Sequence, residues 1–225
     1  MPSLTIVVPA YNEEKRIEGL VKGLGKSGFL VKNAEIIFVL DGKDRTREMV
    51  EKGAAGSGLA YRIIRGEKRL GKGGAVWMGF SEAKTEYVGF IDADEPVSMG
   101  ELAGIAKRCM ESGACVIASR DWGKRKGLRK YLSIAFNFIV RALFGIKEKD
   151  TQCGCKILPK RLLGEKPFLI SGFAFDVELL ERVRRNGGRI EEYPVEGGHL
   201  EGGKFSVIES PKMLLDLLLL RARGA

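Results

Sequence analysis

Four short apolar runs, at residues 4–8, 35–40, 59–65 and 87–91, are bounded by Gly, Asp or Pro, as buried parallel strands are. Between them, residues 13–24, 44–53 and 71–83 carry apolar side chains at helical spacing. Strand and helix alternate, which predicts an α/β fold: a doubly wound sheet of right-handed βαβ units whose ligands bind beyond the carboxyl ends of the strands. A helix over 98–112 and a strand over 115–118 extend the pattern. The regularity then ends. Residues 120–127 form a polar, basic connection, 128–146 a helical stretch, 150–159 a loop entering a short strand, 173–185 a helix, 189–195 a strand, 197–203 a Gly-rich segment and 211–223 a last helix. With no internal repeat and no long linker, 1–225 reads as one domain in two functional halves, 1–120 and 121–225.

Composition narrows the classes. At 225 residues, 44% hydrophobic and 30% charged, the chain is globular rather than disordered. Its longest apolar stretch, 131–146, contains Ser133, Asn137 and Arg141 and falls short of the roughly 20 apolar residues of a membrane span. The first residues lack a basic start and cleavage site, so a cytoplasmic location is expected. The four cysteines are expected as reduced thiols, since Cys153-Gly-Cys155 is too tight for a usual zinc pair. The formal charge of +9 fits a nucleic acid, an anionic membrane surface, a phosphate-bearing ligand or a solvated basic surface.

Polar residues collect where the predicted strands end: Pro9-Ala-Tyr-Asn-Glu-Glu14, Asp41-Gly-Lys-Asp44 and Asp92-Ala-Asp94. Two carboxylates one residue apart at a strand end suit Mg²⁺ or Mn²⁺ shared with substrate phosphates. Gly71-Lys72-Gly73-Gly74 opens a helix whose free N–H groups favour an anion, though such glycines are also ordinary turn chemistry. Asn12 is a candidate helix cap and Tyr11 a surface for a base or sugar.

Taken in order, these segments resemble the inverting nucleotide-sugar glycosyltransferases of family 2, which have the GT-A fold. The resemblance runs through Val7 to Glu14, Asp41-Gly42, Gly71-Lys-Gly73, Asp92-Ala-Asp94 and Ala118-Ser-Arg120. Asp150-Thr-Gln-Cys-Gly-Cys-Lys156 and Gly172 to Leu180 look like the polyprenyl-phosphate branch, the dolichyl-phosphate glucose and mannose synthases. What the resemblance implies is a nucleotide-sugar site at Pro9, Tyr11, Glu13, Asp41, Lys72, Asp92 and Ala93, with Asp92 and Asp94 holding Mg²⁺ or Mn²⁺. It implies an acceptor-phosphate site at Arg120, Arg129 and Ser133, with Lys156 and Lys204 as further candidates, and catalytic roles for Asp94, Asp176 and Arg120. Leu40 stands where relatives carry the first of two aspartates, which removes a carboxylate expected near the base.

The implied reaction moves a hexose from UDP-glucose or GDP-mannose to a polyprenyl (dolichyl-type) phosphate at the cytosolic face of a membrane. A lipid phosphate is already an anion, so Asp176 would orient the acceptor or a basic neighbour; with a hydroxyl acceptor it would be the general base. The helix over 128–146, with Leu132, Phe136, Ile139, Val140, Leu143 and Phe144 beside Arg129, Lys130 and Arg141, is expected to lie on an anionic bilayer, apolar face down; the alternative is a core helix. Peripheral attachment, directly or through a membrane-protein partner, a possible homo-oligomer and no nucleic-acid partner complete the expectations. A non-catalytic basic nucleotide-binding or nucleic-acid-binding protein is the competing class.

Overall fold

The computed structural model describes residues 3–94, 97–120, 128–196 and 210–223, with the backbone alone for 128–133 and 210–211. Leu4, Ile6 and Val8 of β1 (Leu4–Ala10) enter one core while Val7 enters another, and Ile36, Phe38 and Leu40 of β2 (Ala34–Leu40) part from Ile37 and Val39 in the same way. This period-2 alternation with both faces buried is what continuous apolar strands require. Around β1 and β2 lie β3 (Ala60–Arg65), β4 (Tyr87–Ile91), β5 (Cys115–Arg120), β6 (Cys155–Pro159) and β7 (Ile190–Val195), in the order β3-β2-β1-β4-β6-β5-β7. All pairs are parallel except those of β6, which runs against both β4 and β5. The reversal has a functional consequence. It brings the start of β6 to the rim where the parallel strands end, and the N–H of Asp92 donates to the carbonyl of Gly154 at 2.8 Å.

One face is covered by α1 (Ile17–Lys26), α3 (Thr46–Ala54) and α5 (Met99–Ser112). The other is covered by α4 (Gly71–Glu82), α6 (Leu128–Phe144), α7 (Phe175–Arg185) and α8 (Ser210–Ala222), while a short α2 (Gly28–Asn33), absent from the sequence reading, precedes β2. α5 begins with a capping box between Ser98 and Glu101. The first helix starts at Ile17 rather than residue 13, because Asn12 adopts φ 54° and the N–H groups of Glu13 and Glu14 donate to Thr46 and Asp44. Asn12 therefore does not cap that helix. Its Oδ1 accepts from the N–H of Lys43 instead.

α6 corrects a second expectation. Val140 and Phe144 are buried, and Phe136, Ile139 and Leu143 pack against the core, so the stripe assigned to a membrane covers the sheet. Among its described side chains, the exposed large apolar residues are Ile134 and Phe138, the latter 70% exposed. The four cysteines are free and buried, and burial pushes Cys109 up to about 12 and Cys153 up to about 11. No helix of the described residues is long and apolar enough to cross a membrane.

Candidate active site

The ends of β1, β2 and β3 enclose a cleft of about 390 Å³ with Tyr11, Asn12, Asp41, Lys43, Arg65 and Arg69 in its walls. The guanidinium of Arg69 lies 4.4 Å from the centre of the Tyr11 ring, and Asp41 accepts from the N–H of Leu70 at 2.7 Å, tying the β2 and β3 ends together. An aromatic face among several cations suits a base attached to phosphates. Tyr11 and Asp41 are where the sequence placed them. Pro9 is half-buried within β1 beside Val39. Glu13 is a correction: only 8% exposed, its carboxylate holds Arg16 at 2.8 Å, so it braces the loop rather than lining the cleft. Leu40 is buried in the core, so it packs beneath the cleft and forms none of its wall.

Asp92, buried Ala93 and half-buried Asp94 follow β4. Asp92 Oδ2 accepts from Lys72 Nζ at 2.9 Å; the same ammonium lies 3.5 Å from Asp176 Oδ2, and Asp176 Oδ1 accepts from Lys156 Nζ at 2.5 Å. Four charges thus alternate in a row. Phe90 and Phe175 flank the lysines, with Lys72 Nζ 5.1 Å and Lys156 Nζ 5.3 Å from the Phe90 ring centre. Burial is the largest single influence on Lys72 and works against its charge, but Asp176, Asp92 and Asp94 outweigh it and its pKa is raised. Burial also raises the carboxyl of Asp92, with Lys72 opposing and Asp94 adding to the rise.

Asp176 stands in the first turn of α7, where the helix dipole favours a carboxylate, and is 1% exposed. Its neighbour Glu178 is fully buried and accepts from the N–H groups of Leu169 and Ile170 and from Arg182. The pinned segment presents the carbonyl of Ser171 to the N–H of Gly73 at 2.9 Å. A Cβ on Gly73 would lie 2.4 Å from the carbonyl oxygen of Ile170, and one on Gly71, at φ +72°, equally close to that of Ser171. These glycines admit a backbone crossing, and that crossing takes the Gly73 N–H expected to face a phosphate.

Arg120, ending β5, donates from Nε and Nη2 to the two carboxylate oxygens of Asp150 at 2.7 and 3.0 Å. Burial opposes its charge most, but the Asp150 bond and nearby acids leave its pKa raised. Lys156 is a correction to the acceptor-phosphate set. It is fully buried, with its ammonium on Asp176 and the carbonyl of Cys153, so it cannot meet a lipid headgroup. Arg129 and Ser133 lie on α6 with side chains outside the described set, and Lys204 lies outside the described residues. Sequence reasoning missed Arg69 and Gly154. The basic run before Gly71 was a signal for the first; nothing local marked the second, whose added Cβ would lie 2.0 Å from Asp92 Oδ2.

Asp92 and Asp94 fit a hard divalent cation by chemistry and number. Both are oxygen donors at the open rim, Asp92 with 27% of its side chain exposed, and no group of three or more potential ligand side chains occurs among the described residues. One or two carboxylates, completed by phosphate and water, is how Mg²⁺ is usually held beside a nucleotide.

The sequence pattern of the family described as Glycosyl transferase family 2 matches residues 5–183. A dolichyl-phosphate beta-glucosyltransferase of Trichomonas vaginalis is 32% identical over 96% of this chain and 72% of its own length. That of Saccharomyces cerevisiae is 31% identical over 97% of this chain and 74% of its own. Among solved structures, glucosyl-3-phosphoglycerate synthase of Mycobacterium tuberculosis, in complex with Mn²⁺, UDP-glucose and phosphoglyceric acid, superposes with a TM-score of 0.70 over 98% of this chain and 79% of its own, at 22% identity. The mostly parallel sheet is thus the GT-A fold expected from sequence. The chain belongs to glycosyl transferase family 2, a family of enzymes, among relatives that are dolichyl-phosphate glucosyltransferases.

Proposed function

We propose that this protein transfers glucose, with inversion, from UDP-glucose to a polyprenyl phosphate of the dolichyl type. The glucosyltransferase relatives favour glucose over mannose, and UDP-glucose is a glucose donor that a neighbour in fold binds. The nucleotide lies in the cleft of Tyr11 and Arg69, and its diphosphate reaches Asp92 and Asp94. A divalent cation held by those two residues, when bound, offsets the charge developing on the leaving diphosphate. Arg120, fixed by Asp150, supports the acceptor side.

One observation carries the choice of acceptor: the carboxylate of Asp176 is enclosed by the ammonium groups of Lys72 and Lys156 and is 1% exposed. A carboxylate so enclosed is poorly placed to reach an acceptor hydroxyl and take its proton. A phosphate oxygen needs none: it attacks the anomeric carbon directly, the bond to the nucleoside diphosphate breaks, and the electron pair leaves with the diphosphate. The test is incubation with Mg²⁺ or Mn²⁺, a short polyprenyl phosphate and a panel of nucleotide sugars. Lipid-linked glucose from UDP-glucose is the expected product; no lipid-linked sugar from any donor overturns the proposal.

We further infer peripheral attachment to a bilayer at its cytosolic face, where free thiols persist. α6 and α8 contact each other, and Ile134 and Phe138 of the first and Leu214, Leu215, Leu218 and Leu219 of the second are exposed. Basic Arg141 and Arg221 lie on the same two helices. The double substitution Phe138→Asp, Leu215→Asp is expected to weaken co-sedimentation with anionic vesicles about tenfold. Unchanged sedimentation with a loss of self-association would assign this face to an oligomer instead.

A further inference from the structure

The alternating row contains one member with two opposite partners and a long stem. Asp176 is set by the start of α7, Lys156 stands in a central strand with a second bond to the Cys153 carbonyl, and Asp92 is held by Gly154. Lys72 alone lies between two carboxylates, 2.9 Å from Asp92 and 3.5 Å from Asp176, at the end of a flexible four-carbon chain. Its ammonium sits on a carboxylate that, in the proposed function on which this inference rests, also binds a divalent cation. Two cations cannot share that oxygen without repulsion, and a nearby anion is available to the one that can move.

We propose that Asp176 is a positioning residue for the metal site, acting through Lys72: it receives the Lys72 ammonium as a divalent cation takes Asp92. Asp176 touches neither metal nor substrate in this scheme. Lys156 holds it in place by a direct ion pair, which accounts for a lysine buried completely in the sheet. Metal affinity therefore depends on a carboxylate on the far side of Lys72 from the metal.

The test is Mn²⁺ binding to the full chain without donor, read from the electron paramagnetic resonance of free Mn²⁺. Lys72→Met is expected to tighten binding and Asp176→Asn to weaken it, each about tenfold. In a Lys72→Met background, Asp176→Asn is expected to change nothing. The paired neutral variant Asp176→Asn, Lys156→Met removes one charge of each sign and avoids leaving a buried ion alone. It too is expected to bind Mn²⁺ about tenfold more weakly. Equal weakening by Asp176→Asn with and without Lys72, or wild-type binding by the paired variant, would reduce the effect to plain charge and overturn the proposal. Asp92→Asn separates the two levels. If it binds Mn²⁺ as the wild type does, the metal reading fails and this inference with it; if it loses binding while the Lys72 variants behave as wild type, only the inference fails.

Discussion

Replacing Asp92 by asparagine is expected to lower kcat/KM about a thousandfold, or ~4 kcal/mol of transition-state stabilisation. The substitution keeps the shape of a side chain packed under Gly154 and the backbone bond from Asp92 N–H to the Gly154 carbonyl. It removes only the negative charge. The fold should therefore survive, with a melting temperature near that of the wild type, while the carboxylate proposed to meet the cation is gone. Initial rates at saturating donor, measured beside a thermal melt by circular dichroism, distinguish lost chemistry from lost structure. A loss smaller than tenfold would remove Asp92 from the metal's coordination.

Gly154→Ala is expected to cost about a hundredfold in kcat without replacing a single charged residue. The new Cβ would lie 2.0 Å from Asp92 Oδ2 and 2.4 Å from its Cγ, far inside contact distance. Either the carboxylate swings away or the segment before β6 moves, carrying Asp150 and with it Arg120. Both outcomes misplace the site, and overpacking costs ~1–3 kcal/mol of stability as well. Gly100→Ala in α5 is the control: nothing lies within 4 Å of its added Cβ, so rate and stability should be unchanged or slightly improved. A near-normal rate for Gly154→Ala would mean that the position of Asp92 is not critical.

The first half of the fold was legible because each strand is a short apolar run and each crossover helix has its own stripe. Residues 150–159 read as a loop entering a short strand, but direction is not written in such a run, so the antiparallel β6 and the approach of Gly154 to Asp92 were invisible. Periodicity showed that α6 has an apolar face without showing what covers it; Val140 and Phe144 meet the sheet, and the exposed large apolar residues among its described side chains are Ile134 and Phe138. A lysine in sequence suggests solvent. Lys156 is buried because Asp176, twenty positions later, supplies the opposite charge, and only the tertiary fold brings them together. The position of Tyr11, Asp41, Asp92 and Asp94 at one rim was legible for the converse reason: each lies within three residues of a strand end, and strand ends in this architecture share one rim.

In the proposed reaction the acceptor arrives as an anion and needs no general base. The measurement that tests it most directly is a competition in one reaction between a short polyprenyl phosphate and the corresponding polyprenol, with UDP-glucose and Mn²⁺. Glucose should appear on the phosphate alone. Transfer to the alcohol at a comparable rate, abolished by Asp176→Asn, would contradict the account and make Asp176 the base of a hydroxyl-directed transferase.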